Sequence, residues 1–374
     1  MQTTTRVSAA LIGMVIATLM GCSSQESDSI KIALVGPTTG PVAQYGDMQM
    51  TGAKMAVERI NATGGVNGQK LEAVVIDDVC EPKQAVAAAN QVVNQGIKYV
   101  VGHLCSGSTQ PASDIYEDEG ILMITPASTS PAITERGFKM IFRTIGLDSQ
   151  QGPVAGRYIA NTMKPANMAV IHDKQQYGQG IAGEVKKTVE SMGINVVLFE
   201  GVNKDQKDFS ALITKMKSAD VDFVYYGGYH PELGLILRQS REQGFTSRFM
   251  GPEGVGNKDI STIAGEASEG LLVTLPSDFS KVAANAALVK AFEAKGQDSS
   301  GPFVMPGYAA VQIIADSMKA TGSLDPRKLA EHMRSSSFDT PIGKVAYKTN
   351  GDLQEFQFVI FNWHADATKT AVAK

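Results

Sequence analysis

Two short loops in this chain carry hydroxyl groups where an α/β protein presents its ligand donors. Val101–Pro131 reads VGHLCSGSTQPASDIYEDEGILMITPASTSP, which sets Ser106–Thr109 and Ala127–Thr129 directly after two short apolar strands. Ligands of open α/β folds bind at the carboxyl ends of the strands, where loops and helix N-termini converge. Hydroxyls and unpaired backbone N–H groups there suit a carboxylate better than they suit a reaction. Ser106 is the first candidate donor, because the helix expected to begin near Ser108 aims its own N–H groups at the same place. Thr129 offers a second hydroxyl. Serine and threonine also cap helices, and the residues alone weigh capping and binding evenly.

Catalytic chemistry has little to stand on. The first βα turn, Gly36-Pro37-Thr38-Thr39-Gly40, lacks the GxGxxG of dinucleotide sites, and no Walker, HExxH or GxSxG sequence occurs. The five histidines, His103, His172, His230, His332 and His364, are scattered without ligand spacing on one helix face. Titratable groups gather near a rim only at His172-Asp173-Lys174 and Tyr229-His230, neither of which pairs a nucleophile with a base. No enzyme activity, cofactor or metal is expected. Glu253, in MGPEGV, stands at a strand end, where glutamate is usually a solvated loop charge.

The elements that must position these residues alternate strand and helix, which argues for parallel sheets built from βαβ units. Strands are expected at Ile30–Gly36, Lys70–Asp77, Tyr99–His103 and Ile121–Thr125. A second series follows Gly146, with strands at Met168–Asp173, Val196–Glu200, Phe223–Gly227 and Arg248–Gly251. Two similar series imply two lobes. Three helices, Asn285–Lys295, Gly307–Ala320 and Pro326–Ser335, cannot be assigned to either lobe by periodicity. Tyr116–Gly120 (YEDEG) reads as a solvated helix end.

Residues 1–22 read as a processing signal and stand outside the fold. Arg6 precedes an apolar run from about Val7 to Met20, too short for a membrane span, ending in a lipobox-like Leu19-Met20-Gly21-Cys22. Cys22 is the expected lipidation site. Cys80 and Cys105 then remain, in an exported chain where disulfides persist, and the alternative of a metal or nucleophile pair lacks CxxC spacing. A net charge of −4 with interspersed signs leaves no nucleic-acid footprint. A hydrophobic content of 43% supports a large core, split between two domains.

The Val101–Pro131 segment, together with GPVAQYGD, DKQQYG, YYGGYHPE and MGPEGV, closely resembles the periplasmic leucine/isoleucine/valine-binding proteins. These are the solute receptors of branched-chain amino acid ABC importers. The resemblance implies an α/β type I periplasmic-binding fold: two doubly wound parallel-sheet lobes joined by a hinge that the chain crosses three times. It places residues 23–147 and 277–354 in the first lobe and 148–276 and 355–374 in the second. It implies that Ser106, Ala127 and Thr129, with Ser128 between them, hold the backbone atoms of an L-amino acid, and that Glu253 meets the ammonium. Tyr45, Leu104, Cys105 (bridged to Cys80), Tyr177, Tyr229 and Phe303 become candidates for the side-chain wall. Relatives that prefer leucine alone tend to carry tryptophan at the position of Tyr45, so tyrosine there implies room for isoleucine and valine. The implied partners are the small-molecule amino acid and an inner-membrane permease, for a monomeric periplasmic receptor that touches the membrane only through its lipid. The same fold also serves amide and urea sensors and lipid-anchored chemosensory proteins. A neutral ligand would not require both an anionic and a cationic end to be matched.

Overall fold

The apolar run IKIALVG forms the first strand, β1 (Ile30–Gly36), an inner strand of a parallel sheet in a computed structural model that describes residues 1–3 and 29–372. The expected leader and Cys22 lie outside the described residues. With β2 (Leu71–Asp77), β3 (Tyr99–Val101), β4 (Leu122–Thr125) and β5 (Ile141–Arg143), β1 gives the order β2-β1-β3-β4-β5. The next five strands are β6 (Met168–His172), β7 (Val196–Gly201), β8 (Phe223–Gly227), β9 (Arg248–Gly251) and β10 (Leu271–Pro276). They repeat that pattern as β7-β6-β8-β9-β10 in a second sheet. A hairpin of β11 (Ser337–Thr340) and β12 (Gly343–Ala346) stands apart, and β13 (Phe358–Trp363) and β14 (Lys369–Ala371) extend the second sheet antiparallel beyond β10.

Strands β3, β4, β6 and β8 are buried along their whole length, as parallel strands covered by helices on both faces must be. The sequence pattern did not mark β5, β10 or the strands after residue 336. β5 has three residues, too few for a period to appear. The apolar run of β10 cannot be told from a buried helix segment by periodicity alone.

Helix Val304–Thr321 packs along helix Ala43–Ala62, and Gly52 makes the contact possible, since a Cβ there would lie 1.8 Å from the carbonyl oxygen of Val304. Helices Val304–Thr321 and Pro326–Ser335 and the β11–β12 hairpin share the first sheet's core. Helix Ala286–Glu293 joins that half through Met55. The chain therefore passes between the halves three times, after β5, after β10 and after β12. A separate cluster straddles the halves, with Val42, Tyr45, Leu104 and Ala127 from one and Tyr177, Tyr229 and Met250 from the other.

Candidate ligand-binding site

The carboxyl ends of both sheets face this straddling cluster. On the first sheet, β1 leads to Tyr45 in the opening turn of its helix, β3 to Leu104, Cys105 and Ser106, and β4 to Ala127, Ser128 and Thr129. The order β2-β1-β3 reverses chain direction beside β1, the switch point at which doubly wound sheets open a crevice. On the second sheet, β6 leads to Tyr177, β8 to Tyr229 and β9 to Glu253. Phe303 arrives just before helix Val304–Thr321. Each of these residues is at most 6% exposed, so they meet one another across the gap rather than solvent.

The contacts across the gap are specific. Thr129 Oγ1 donates to Glu253 Oε1 at 3.5 Å, and Tyr45 OH donates to the Glu253 carbonyl oxygen at 3.2 Å. Within the second half, Tyr177 OH accepts the Gly254 N–H at 3.0 Å. A Cβ on Gly254 would lie 2.6 Å from the Gly228 carbonyl oxygen and 2.7 Å from the Tyr177 ring, so only glycine lets the Glu253 turn seat here. The Tyr177 and Tyr229 rings lie 5.2 Å apart, and Tyr45 meets Phe303 edge-on at 5.4 Å. Aromatic side chains thus give the pocket rigid apolar walls with polar tips.

Burial pushes the Glu253 carboxyl up to about 7, with the nearby polar side chains of Gln151, Tyr177 and Thr129 pulling the other way. Its Oε2 has no partner among the described residues. Sequence reading missed a second carboxyl beside it. Asp148 opens the helix Asp148–Tyr158 after β5, is 1% exposed, and has neither carboxyl oxygen in a hydrogen bond among the described residues. Burial raises its carboxyl well above the usual range, and the nearby Glu253 charge raises it further. An acid in the first turn of a helix looks like ordinary complement to the helix dipole, which hid it.

The carboxylate side is arranged differently. The helix begins at Ser106 itself rather than near Ser108, and the N–H groups of Ser108 and Thr109 both reach the Cys105 carbonyl at 2.9 Å. The amides of Ser106 and Gly107, in the first helical turn, therefore have no intrahelical carbonyl to meet and are free to act as donors. Ser106 Oγ accepts the Ser130 N–H at 3.3 Å, joining the two hydroxyl loops. Ser128 donates its hydroxyl to the Leu104 carbonyl at 2.9 Å and shares a 2.5 Å hydrogen bond with Thr109 Oγ1, bracing the same two loops.

Cys80 and Cys105 are paired, with Cα atoms 5.5 Å apart, and they border a cavity of about 270 Å³ that also reaches Gln176, Tyr177 and Tyr229. Beneath the pair, His103 Nδ1 lies 2.6 Å from Asp78 Oδ2 and Nε2 lies 3.0 Å from Tyr116 OH, all three residues fully buried. Tyr116 is therefore not part of a solvated helix end. It faces inward while Asp114, Asp118 and Glu119 stay at the surface.

Buried carboxyls, hydroxyls and the first amides of a helix thus converge on the gap among aromatic side chains. The sequence of the periplasmic binding protein family matches residues 29–367. The chain belongs to that family. It is 60% identical to the leucine-, isoleucine-, valine-, threonine- and alanine-binding protein of Pseudomonas aeruginosa, over 99% of both chains. It is 54% identical to the Leu/Ile/Val-binding protein of Escherichia coli, over 92% of this chain and 93% of that one. Among solved structures, the substrate-binding protein LivJ of the branched-chain amino acid transporter of Streptococcus pneumoniae, in complex with isoleucine, superposes with a TM-score of 0.84 at 25% identity. It covers 92% of this chain and 99% of that one. These relatives are binding proteins rather than enzymes, and membership of the family assigns this chain to the periplasm.

Proposed function

We propose that this chain is the substrate-binding receptor of an ABC importer for branched-chain L-amino acids, with alanine and threonine as further ligands. The observation that carries the reading is Glu253. A buried carboxyl from one half, with an unpartnered oxygen, reaches Thr129 on the other half inside an apolar cluster. An amino acid is a zwitterion, and burying either charged end without partners costs several kcal/mol, so a receptor must match both. Ser106, Thr129 and the first amides of helix Ser106–Asp118 hold the carboxylate. Glu253 holds the ammonium, with the Ala127 carbonyl and Asp148 beside it. Tyr45, Leu104, the Cys80–Cys105 disulfide, Tyr177, Tyr229 and Phe303 enclose the aliphatic side chain. Its burial contributes about 2–3 kcal/mol, enough to favour aliphatic over charged side chains but not to separate leucine from isoleucine.

Binding works by hinge closure between a first lobe of residues 23–147 and 277–354 and a second of 148–276 and 355–374. The ligand lands on Ser106 and Thr129, and Tyr177, Tyr229 and Glu253 close over it. Closure excludes water and strengthens each charged contact, and the closed form is what the permease recognises. The receptor is a monomer tethered by a lipid on Cys22. A calorimetric titration against the twenty common amino acids tests the proposal: heat with leucine, isoleucine and valine supports it, and no heat with any of them rejects it.

A further inference from the structure

One guanidinium links the loop that carries Thr129 to two of the three connections between the halves. Arg143 ends β5, immediately before the first connection, and is fully buried. Its Nη1 donates to the Ser128 carbonyl at 2.6 Å and its Nη2 to the Ser130 carbonyl at 3.1 Å. Nη2 also donates to Thr134 Oγ1 at 2.7 Å, and that hydroxyl in turn donates a hydrogen bond to Asp352 Oδ1 at 2.7 Å. Arg143 Nε lies 2.8 Å from the same Asp352 oxygen. Asp352, 4% exposed, stands just before the chain makes its third passage to the second half. The remaining carbonyl of the loop, that of Thr129, accepts the Asp148 N–H at 2.9 Å from the far side of the first connection.

The carbonyls of three consecutive residues are thus fixed to the segment that runs from Arg143 to Asp148. Ser128 and Ser130 are held by a planar fork whose donors diverge at a fixed angle, a geometry that the single ammonium of lysine cannot reproduce. With its neighbours held in this way, Thr129 keeps its hydroxyl toward Glu253. A buried cation requires a partner, and Asp352 supplies it from the third connection. We propose that Arg143 is the positioning residue of the receptor. It sets the backbone of Ser128–Ser130 for the ligand and, through Asp352, ties the shape of that loop to the hinge. The proposal rests on the amino-acid receptor reading and deepens it.

The test compares Arg143→Lys, Asp352→Asn and Thr134→Val by leucine calorimetry on protein shown to be folded by circular dichroism, alongside thermal midpoints without ligand. Arg143→Lys weakens leucine binding by about tenfold or more, the equivalent of losing one charge-assisted hydrogen bond. Asp352→Asn weakens it in the same direction. Thr134→Val lies in the same network but leaves both carbonyl contacts intact, so it lowers the midpoint while affinity stays near wild type. A folded Arg143→Lys protein with a lowered midpoint and wild-type affinity overturns the positioning role, since a merely structural arginine gives that pattern. If Arg143→Lys does not fold, Asp352→Asn decides: weakened binding supports the proposal and wild-type affinity overturns it. Absence of leucine binding by the wild-type chain overturns the receptor reading and this proposal together, whereas the variants bear on Arg143 alone.

Discussion

Thr129 Oγ1 lies 3.5 Å from Glu253 Oε1, and the two residues stand at strand ends of different sheets. The proposed site is therefore complete only when the halves meet. Other contacts close the same gap, among them Gln176 Nε2 to Ser130 Oγ at 3.2 Å and Lys258 Nζ to Asp298 Oδ2 at 2.9 Å. A ligand that bridges the halves adds its contacts to these and shifts the population toward the closed form by as much as it prefers that form.

Removing the hydroxyls tests the carboxylate end. Ser106→Ala and Thr129→Ala each weaken leucine binding by about 1–3 kcal/mol, the range for leaving a charged group short of one hydrogen bond. Calorimetry reads this directly. Wild-type affinity in both variants removes these residues from the site.

Glu253 predicts two opposite pH dependences. Its carboxyl is raised by burial to about 7 in the folded chain against 4.5 unfolded, so the ligand-free protein holds a proton that the unfolded chain releases. The stability this contributes is full below 4.5 and is lost as pH rises through about 7. Buried Asp173, also raised to about 7, adds the same sign. Leucine affinity runs the other way, because an ammonium needs the ionised carboxylate, and it weakens as pH falls below about 7. Melting and calorimetry across this range measure both trends. Glu253→Gln shrinks the first, weakens binding and leaves the fold intact. If the variant melts early, Glu253 is structural.

The Cys80–Cys105 bridge closes a 25-residue separation, worth on the order of 3 kcal/mol in the loop-entropy model. Urea denaturation with and without reductant checks it. Reductant lowers the midpoint of the wild-type chain and leaves a Cys80→Ser/Cys105→Ser protein where it was. Equal midpoints for the wild type under both conditions mean that the pair is not bonded.

The positions of the proposed binding loops were legible in the sequence because short apolar runs ending in Gly, Ser and Pro mark strand ends locally. Their roles were not. Ser106 and Thr129 read equally as helix caps and Glu253 as a surface charge, and only the resemblance turned them toward an amino acid. Periodicity also says which face of a helix is buried but not against which sheet, so for the helices between residues 285 and 335 only the resemblance pointed to a lobe, and the structure packs two of them on the first core. Arg143, Asp352 and Asp148 were missed for a related reason. Their meaning lies in partners across the fold: Arg143 reaches a residue more than two hundred positions away, and no local pattern encodes that pairing. Tyr116 was misread because YEDEG is polar on average, while helical spacing turns its tyrosine inward to His103.

The central claim is that both charged ends of a free amino acid are matched at once. Calorimetry with L-leucine, with L-leucinamide, which lacks the carboxylate, and with 4-methylpentanoic acid, which lacks the ammonium, tests it most directly. The account predicts strong binding of leucine and a large loss of affinity for each analogue. Equal affinity for leucine and leucinamide would contradict the role of Ser106 and Thr129, and equal affinity for leucine and the free acid would contradict that of Glu253.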